Sequence, residues 1–290
     1  MSGPTLFDRA QLKHNLDRAF DRAEPGSDFL LGVVAEDLSD RLAPLSRSFE
    51  NAVELSLGLD RIRQTLVESG KVEKVYCGHL FSARKASKAP DFIFDDAVPP
   101  LKDQSVGLIT SALTLHWVND LPGGLVQIRK ALIPDGLFLG TLLGGGTLNE
   151  LRDVMMRAEL EVTGGAAPRI SPFADIKEIG ALLQRAGFAL PVADADRITV
   201  RYDNLFALMK DLRAMGATSA LTERSRKPLN RSILLRAAEL YANDYSDPDG
   251  RIRATFNLVS VSGWSPHESQ QKPLKPGSAK TSLADALNKL

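Results

Sequence analysis

Residues 51–69 read NAVELSLGLDRIRQTLVES. Asn51 to Leu57 is an apolar run of strand length, and from Asp60 to Ser69 the apolar positions switch to helical spacing. A strand passing through one glycine, Gly58, straight into a helix is half of a parallel crossover unit, because parallel strands need a long connection and a helix supplies it. The alternation continues outward. Further apolar runs lie at Lys71 to Cys77, Asp91 to Phe94, Val106 to Ala112 and Gly136 to Leu143, with another amphipathic stretch at Leu121 to Leu132. This pattern predicts an α/β fold built on a doubly wound, mostly parallel sheet.

Upstream, Leu12, Leu16 and Phe20, then Phe29, Leu30, Val33 and Val34, recur at helical spacing on either side of Glu24-Pro25-Gly26 and predict two leading helices. Downstream, Asn149 to Val162 and Asp175 to Ala186 read as helices, the second closed by Gly187. Arg197 to Tyr202 and Ala254 to Val261 read as strands. Between them Leu205 to Met215 and Ser232 to Tyr245 form a helical insertion expected to cap the sheet's ligand edge. The expected organisation is N-terminal helices over 1–45, a core domain over 46–264 with a helical cap at about 203–250, and a linker with a short C-terminal helix, Ser282 to Leu290, over 265–290.

Composition narrows the function. The 36 basic residues balance 36 acidic ones, which argues against a nucleic-acid partner. Cys77 stands alone, excluding an internal disulfide and a multi-cysteine zinc or iron–sulfur site held by this chain. His14, His79, His116 and His267 have no metal-ligand spacing, and neither a G-x-S-x-G elbow nor a Walker loop occurs, so no metal site is expected. The first residues lack an apolar signal region, and no stretch approaches about 18 uninterrupted apolar residues. A cytoplasmic chain with no integral membrane segment is expected.

In a doubly wound sheet the ligand lies at the carboxyl ends of the strands, so those ends carry the candidates. The first, Glu54-Leu55-Ser56-Leu57-Gly58-Leu59-Asp60, offers a glycine for close approach to a cofactor and Asp60 to cap the next helix, or simply a tight turn. His79 ends the second strand, where an acid normally accepts ribose hydroxyls; read alone, it is expected to be an exposed histidine without function. Asp95 and Asp96 follow the third and suit an adenine amine or a solvated turn. The fourth end, Ser111-Ala112-Leu113-Thr114-Leu115-His116-Trp117-Val118-Asn119-Asp120-Leu121-Pro122, sets a titratable ring and an aromatic wall at the crevice. The alternative is a buried histidine bonded to backbone, with the tryptophan packed beneath the helix. After the fifth strand, Gly144-Gly145-Gly146-Thr147-Leu148-Asn149-Glu150 reads as a capping box of Thr147 and Glu150, whose free amides suit an anion.

These residues carry a long resemblance. It runs from Leu6-Phe7-Asp8-Arg9 through the Leu113 to Pro122 segment, Pro134-Asp135-Gly136 and Thr147 to Arg152, to Ile170-Ser171-Pro172-Phe173, Arg185-Ala186-Gly187-Phe188, Asp211 to Gly216 and Gly263-Trp264. The chain resembles the methyltransferase-fold family of mitochondrial complex I assembly factor 5 and its bacterial relatives, itself similar to the malonyl-carrier-protein methyltransferase of biotin synthesis. The resemblance implies a seven-stranded class I methyltransferase (Rossmann-like) sheet with an antiparallel last strand, and an S-adenosylmethionine pocket. Glu54, Ser56, Gly58 and Asp60 fall on the family's acid and three alternate glycines. His79 falls on the second-strand acid, Gly107 on a fourth-strand aspartate, and Asp95, beside Asp96, keeps the third-strand acid. His116 and Trp117 would line the substrate side as catalytic candidates. The implied function is an adenosylmethionine-dependent modifier of a protein side chain, an arginine of a respiratory complex I subunit, with that subunit as partner. Two alternatives stand beside it: a catalytically inactive assembly chaperone, suggested by the departures in the glycine loop, and a small-molecule or carrier-protein carboxyl methyltransferase.

Overall fold

A computed structural model describes residues 5–22, 24–57, 59–80, 90–94 and 100–271. The expected sites at Gly58, Asp95 and Asp96, and the expected helix at Ser282 to Leu290, lie outside the described residues.

Two helices, α1 (Arg9–Arg22) and α2 (Phe29–Leu42), lead into β1 (Phe49–Ser56), α3 (Arg61–Glu68), β2 (Val72–Leu80), β3 (Phe92–Phe94) and β4 (Val106–Ala112). A single 3₁₀ turn, Leu115–Trp117, precedes α4 (Leu121–Ala131) and β5 (Leu132–Leu143). The chain continues through α5 (Asn149–Thr163), α6 (Ile176–Ala186), β6 (Ala189–Tyr202), α7 (Leu205–Ala214), α8 (Arg231–Tyr245) and β7 (Ile252–Trp264). The seven strands form one sheet in the order β3-β2-β1-β4-β5-β7-β6. The first five are parallel, and β7 runs antiparallel to both its neighbours. The order reverses between β1 and β4, which places the crevice beyond their carboxyl ends.

Alternate residues of each strand feed opposite cores. Ala52, Leu108 and Leu139 pack with Leu38, Ile62 and Val154 on one face; Val53, Ile109 and Phe138 pack with Ile128 and Leu183 on the other. Every residue of β4 is buried, as expected of a central parallel strand covered on both faces. α6 begins with a complete Asp175/Glu178 capping box and ends at Gly187 with φ +84°. α7 packs on α1, and α8 lies along α5. No helix among the described residues is long and apolar enough to cross a membrane.

Three local expectations are corrected. The capping box of Thr147 and Glu150 does not form: Leu148, at φ +53°, precedes α5, and both side chains serve β7 instead. Thr147 Oγ1 accepts the Asn257 amide (3.1 Å), and Glu150 accepts both the Thr255 amide (3.2 Å) and its hydroxyl (2.5 Å). Asp60 precedes α3 without a side-chain capping bond. β6 begins at Ala189, well before Arg197: its first half carries Pro191, which breaks a strand reading but is tolerated in an edge strand, and Asp194.

Candidate functional site

At the end of β4, Leu113 adopts φ +54° while its amide still donates to Thr141 O (2.8 Å), so the chain leaves the sheet abruptly into the 3₁₀ turn. Non-glycine residues rarely hold this conformation, and it recurs where a site over-determines the backbone. β5 runs past its last pairing with β4, Ala112 opposite Thr141, and the amide of Leu143 donates to His116 Nδ1 (3.4 Å). His116 is buried, and burial alone pushes its pKa down to about 3, so the ring is neutral. The backbone-bonded alternative thus describes part of what His116 does. Trp117 is also buried, 4.9 Å from His116 centroid to centroid and edge-on to Phe7 at 5.7 Å.

A clasp joins the N-terminal segment to this turn. Asn119 Oδ1 accepts the Phe7 amide (2.8 Å), and Asn119 Nδ2 donates to Phe7 O (3.1 Å). Arg9 donates to Trp117 O (3.2 Å). On its other side the same segment bonds the 220–222 stretch through Asp8 N to Ala220 O (2.7 Å) and Thr222 N to Leu6 O (3.0 Å). The clasp anchors the start of α1, whose Leu16 and Phe20 line a cavity of about 340 Å³ at the strand ends. Its floor is Leu57, Leu113, His116, Trp117 and Leu143 at the strand ends, and its walls are Leu16 and Phe20 of α1, Leu30 and Leu31 of α2, and Met215. The polar rim is the α1–α2 connection, where Asp28 pairs with Arg61 (2.9 Å) and Glu24 with Lys210 (3.3 Å). His116 and Trp117 therefore meet in one cavity. The rim acids and Asn119's tie to Phe7 were not singled out from the sequence.

A second polar cluster lies one strand away. Glu54 is in register with Cys77, and Ser56 with His79. All four are buried. Cys77 Sγ donates to Glu54 Oε2 (3.1 Å), and the Ser56 hydroxyl also bonds the Glu54 carboxyl. Burial raises the pKa of Glu54, raises that of the Cys77 thiol, and lowers that of His79. Asp60 is exposed, and its charge raises the pKa of both Glu54 and His79. The expectation of an exposed His79 is corrected: β2 continues past Cys77 to pair with both Ser56 and Ile93, which leaves the ring 4% exposed. Among the described residues, Glu54 Oε1 and His79 Nδ1 are buried without a hydrogen-bond partner.

Residues 33–140 match a methyltransferase domain model. The chain is 37% identical to arginine-hydroxylase NDUFAF5, mitochondrial, of Danio rerio over 98% of its own length and 90% of the relative's. Against the Homo sapiens protein of the same name it is 37% identical, covering 97% of this chain and 83% of that one. The chain belongs to the NDUFAF5 family.

A solved Bacillus halodurans structure described as a candidate methyltransferase superposes with a TM-score of 0.53 at 13% identity, over 80% of this chain and 98% of that one. It supports the class I Rossmann-like sheet that the strand order already shows. The expected cytoplasmic location is overturned by the relatives, whose names place them in the mitochondrion. In this NDUFAF5-family chain the side chain at Ser56 is buried and bonds the Glu54 carboxyl.

Proposed function

We propose that the chain binds S-adenosylmethionine at the carboxyl ends of β1 and β2 and modifies an arginine side chain of a respiratory complex I subunit during assembly of that complex. The residues present fit the cofactor in kind. Glu54 Oε1 and His79 Nδ1, on neighbouring strands, are buried atoms with unfilled hydrogen-bonding capacity at the edge where a class I sheet takes a nucleoside. Bound adenosylmethionine would supply an activated methyl group. The chain's part is to hold Glu54 as an acceptor, exclude water from the cavity and align the substrate.

The observation that carries the substrate reading is the rim of the cavity. Glu24 and Asp28 already hold cationic side chains, Lys210 and Arg61, beside an apolar wall. An arginine has the same two requirements, an apolar surface for its stem and carboxylates for its guanidinium. The relatives at 36–37% identity are named arginine hydroxylases.

Calorimetric titration of adenosylmethionine into the full chain tests the first half. Saturable heat, lost in Glu54→Ala, is expected; no heat at millimolar ligand sinks the cofactor reading and leaves a methyltransferase-fold chaperone. Intact-mass comparison of complex I subunits from wild-type and deletion strains tests the second. A subunit heavier by one oxygen or one methylene at an arginine supports it, and unchanged masses refute it.

A further inference from the structure

The floor of the cavity holds a polar atom that the proposed function leaves unused. Where β5 runs beyond the last paired residue of β4, no ladder carbonyl faces the Leu143 amide, and His116 Nδ1 takes its place at 3.4 Å. The opposite tautomer would set N–H against N–H and strand a buried amide. The ring proton therefore sits on Nε2, since the bond made by one ring nitrogen fixes the state of the other. The ring plane is held by Trp117 at 4.9 Å and Phe173 at 5.8 Å. Among the described residues no hydrogen bond is made at Nε2, nor is Nε2 one of the sealed, unpartnered atoms, and the ring lines the cavity.

We infer that His116 is a fixed Nε2–H donor that selects, at the inner end of the cavity, a ligand presenting an oxygen acceptor. The surrounding floor is Leu57, Leu113 and Leu143, so the part of the ligand next to that oxygen is apolar. Burial keeps the ring neutral down to about pH 3, so it donates at Nε2 throughout the physiological range. An ammonium or guanidinium has donors only and is turned away from this end, toward Glu24 and Asp28. The inference rests on the cavity being the ligand site proposed above, but not on arginine being the modified group. The oxygen has two sources, a substrate carbonyl or the cofactor's carboxylate.

The test is long-range proton–nitrogen NMR of the full chain carrying ¹⁵N-histidine. His116 is expected as the Nε2–H tautomer, unchanged between about pH 8 and pH 5. Methyl butyl ketone should shift the Nε2–H resonance saturably and bind roughly fivefold tighter than hexylamine, the worth of one neutral hydrogen bond. His116→Phe should lose that preference. His116→Gln, whose amide oxygen can take the Leu143 amide while its NH₂ donates, should keep part of it. A saturable shift with adenosylmethionine alone assigns the oxygen to the cofactor; a shift only with the ketone assigns it to substrate. An Nδ1–H tautomer, equal affinity for ketone and amine, or no response to any of the three overturns the inference. The tautomer is read on the wild-type protein, so the test stands even where the phenylalanine variant fails to fold.

Discussion

Replacing Asn119 by alanine probes the contact that ties the N-terminal segment to the turn bearing His116 and Trp117. Its side chain makes two hydrogen bonds to one residue, accepting from Phe7 N at 2.8 Å and donating to Phe7 O at 3.1 Å. With a net worth near 1 kcal/mol each, their loss removes about 2 kcal/mol from the closure of the N-terminal segment. That corresponds to roughly a 30-fold rise in its opening equilibrium, at about 1.4 kcal/mol per tenfold. Hydrogen exchange reads the change amide by amide. The reporters are Asp8 N, bonded to Ala220 O, and Thr222 N, bonded to Leu6 O, because both bonds break when the segment lifts. Both should exchange about 30-fold faster in Asn119→Ala. Amides of β4, buried along its whole length, should report only the global stability change. Acceleration below about threefold at both reporters would refute the clasp, leaving Phe7's ring contact with Trp117 to hold the segment alone.

The three consecutive glycines should separate by substitution. A Cβ on Gly144 would stand 2.4 Å from Val259 Cγ2, so Gly144→Ala should lose about 1–3 kcal/mol in denaturant unfolding. At Gly145 the nearest atom is 3.6 Å away, and alanine there should stay within about 0.5 kcal/mol. Glu159, 4% exposed, pairs with Arg169 and accepts the Ala167 amide (2.9 Å). Because Arg169 keeps some solvent contact, Glu159→Gln should destabilise by about 2–3 kcal/mol, at or below the range for a broken buried pair, and open the 164–175 connection to protease. His116 binds a proton less readily folded, near 3, than at its ordinary 6.5, so between those values the unfolded state holds the extra proton and stability rises with pH. His79 is shifted the same way. Urea unfolding of His116→Gln across that window should lose a slope of about 1.4 kcal/mol per pH unit; an unchanged slope would show that the ring is protonated in the folded state.

What the sequence reveals follows the range of the interactions involved. Strand and helix positions in the core were legible because they rest on local apolar period, as in Val106 to Ala112. The first half of β6 was not, since Pro191 reads as a strand breaker unless the strand is known to lie at an edge. Thr147 and Glu150 have the residue types of a capping box at the right spacing, but β7 offers them Thr255 and Asn257, and tertiary partners prevail over local ones. His79 looked exposed because its burial depends on Ile93 and Ser56, neither of which is near it in sequence. The strand-end rule did bring His116 and Trp117 to one cavity. The rim acids and the Asn119 clasp depend on how the segment before β1 folds back over the sheet, and local spacing does not encode that.

The departures in the glycine loop take on a different meaning once placed in the sheet. A side chain in a cofactor loop obstructs only where it projects toward the ligand, and Ser56 projects toward Glu54. Its hydroxyl and the Cys77 thiol hold the Glu54 carboxyl, while Glu54 Oε1 is buried with no hydrogen-bond partner among the described residues. A carboxyl anchored through one oxygen and unpartnered at the other is an oriented group with unfilled hydrogen-bonding capacity, the property that the loop's first acid is expected to provide. Two further departures, Asp60 and His79, compensate in charge. An acid at position 79 would sit on the same face as Glu54, in register with Ser56, and Asp60 already raises the pKa of both neighbours. A third carboxylate there would drive Glu54 further toward its neutral form. Histidine at 79 removes that repulsion, so the gain of Asp60 and the loss of the second-strand acid leave the number of carboxylates around the site unchanged. The loop's altered spelling is thus compatible with a retained hydrogen-bonding carboxyl at Glu54.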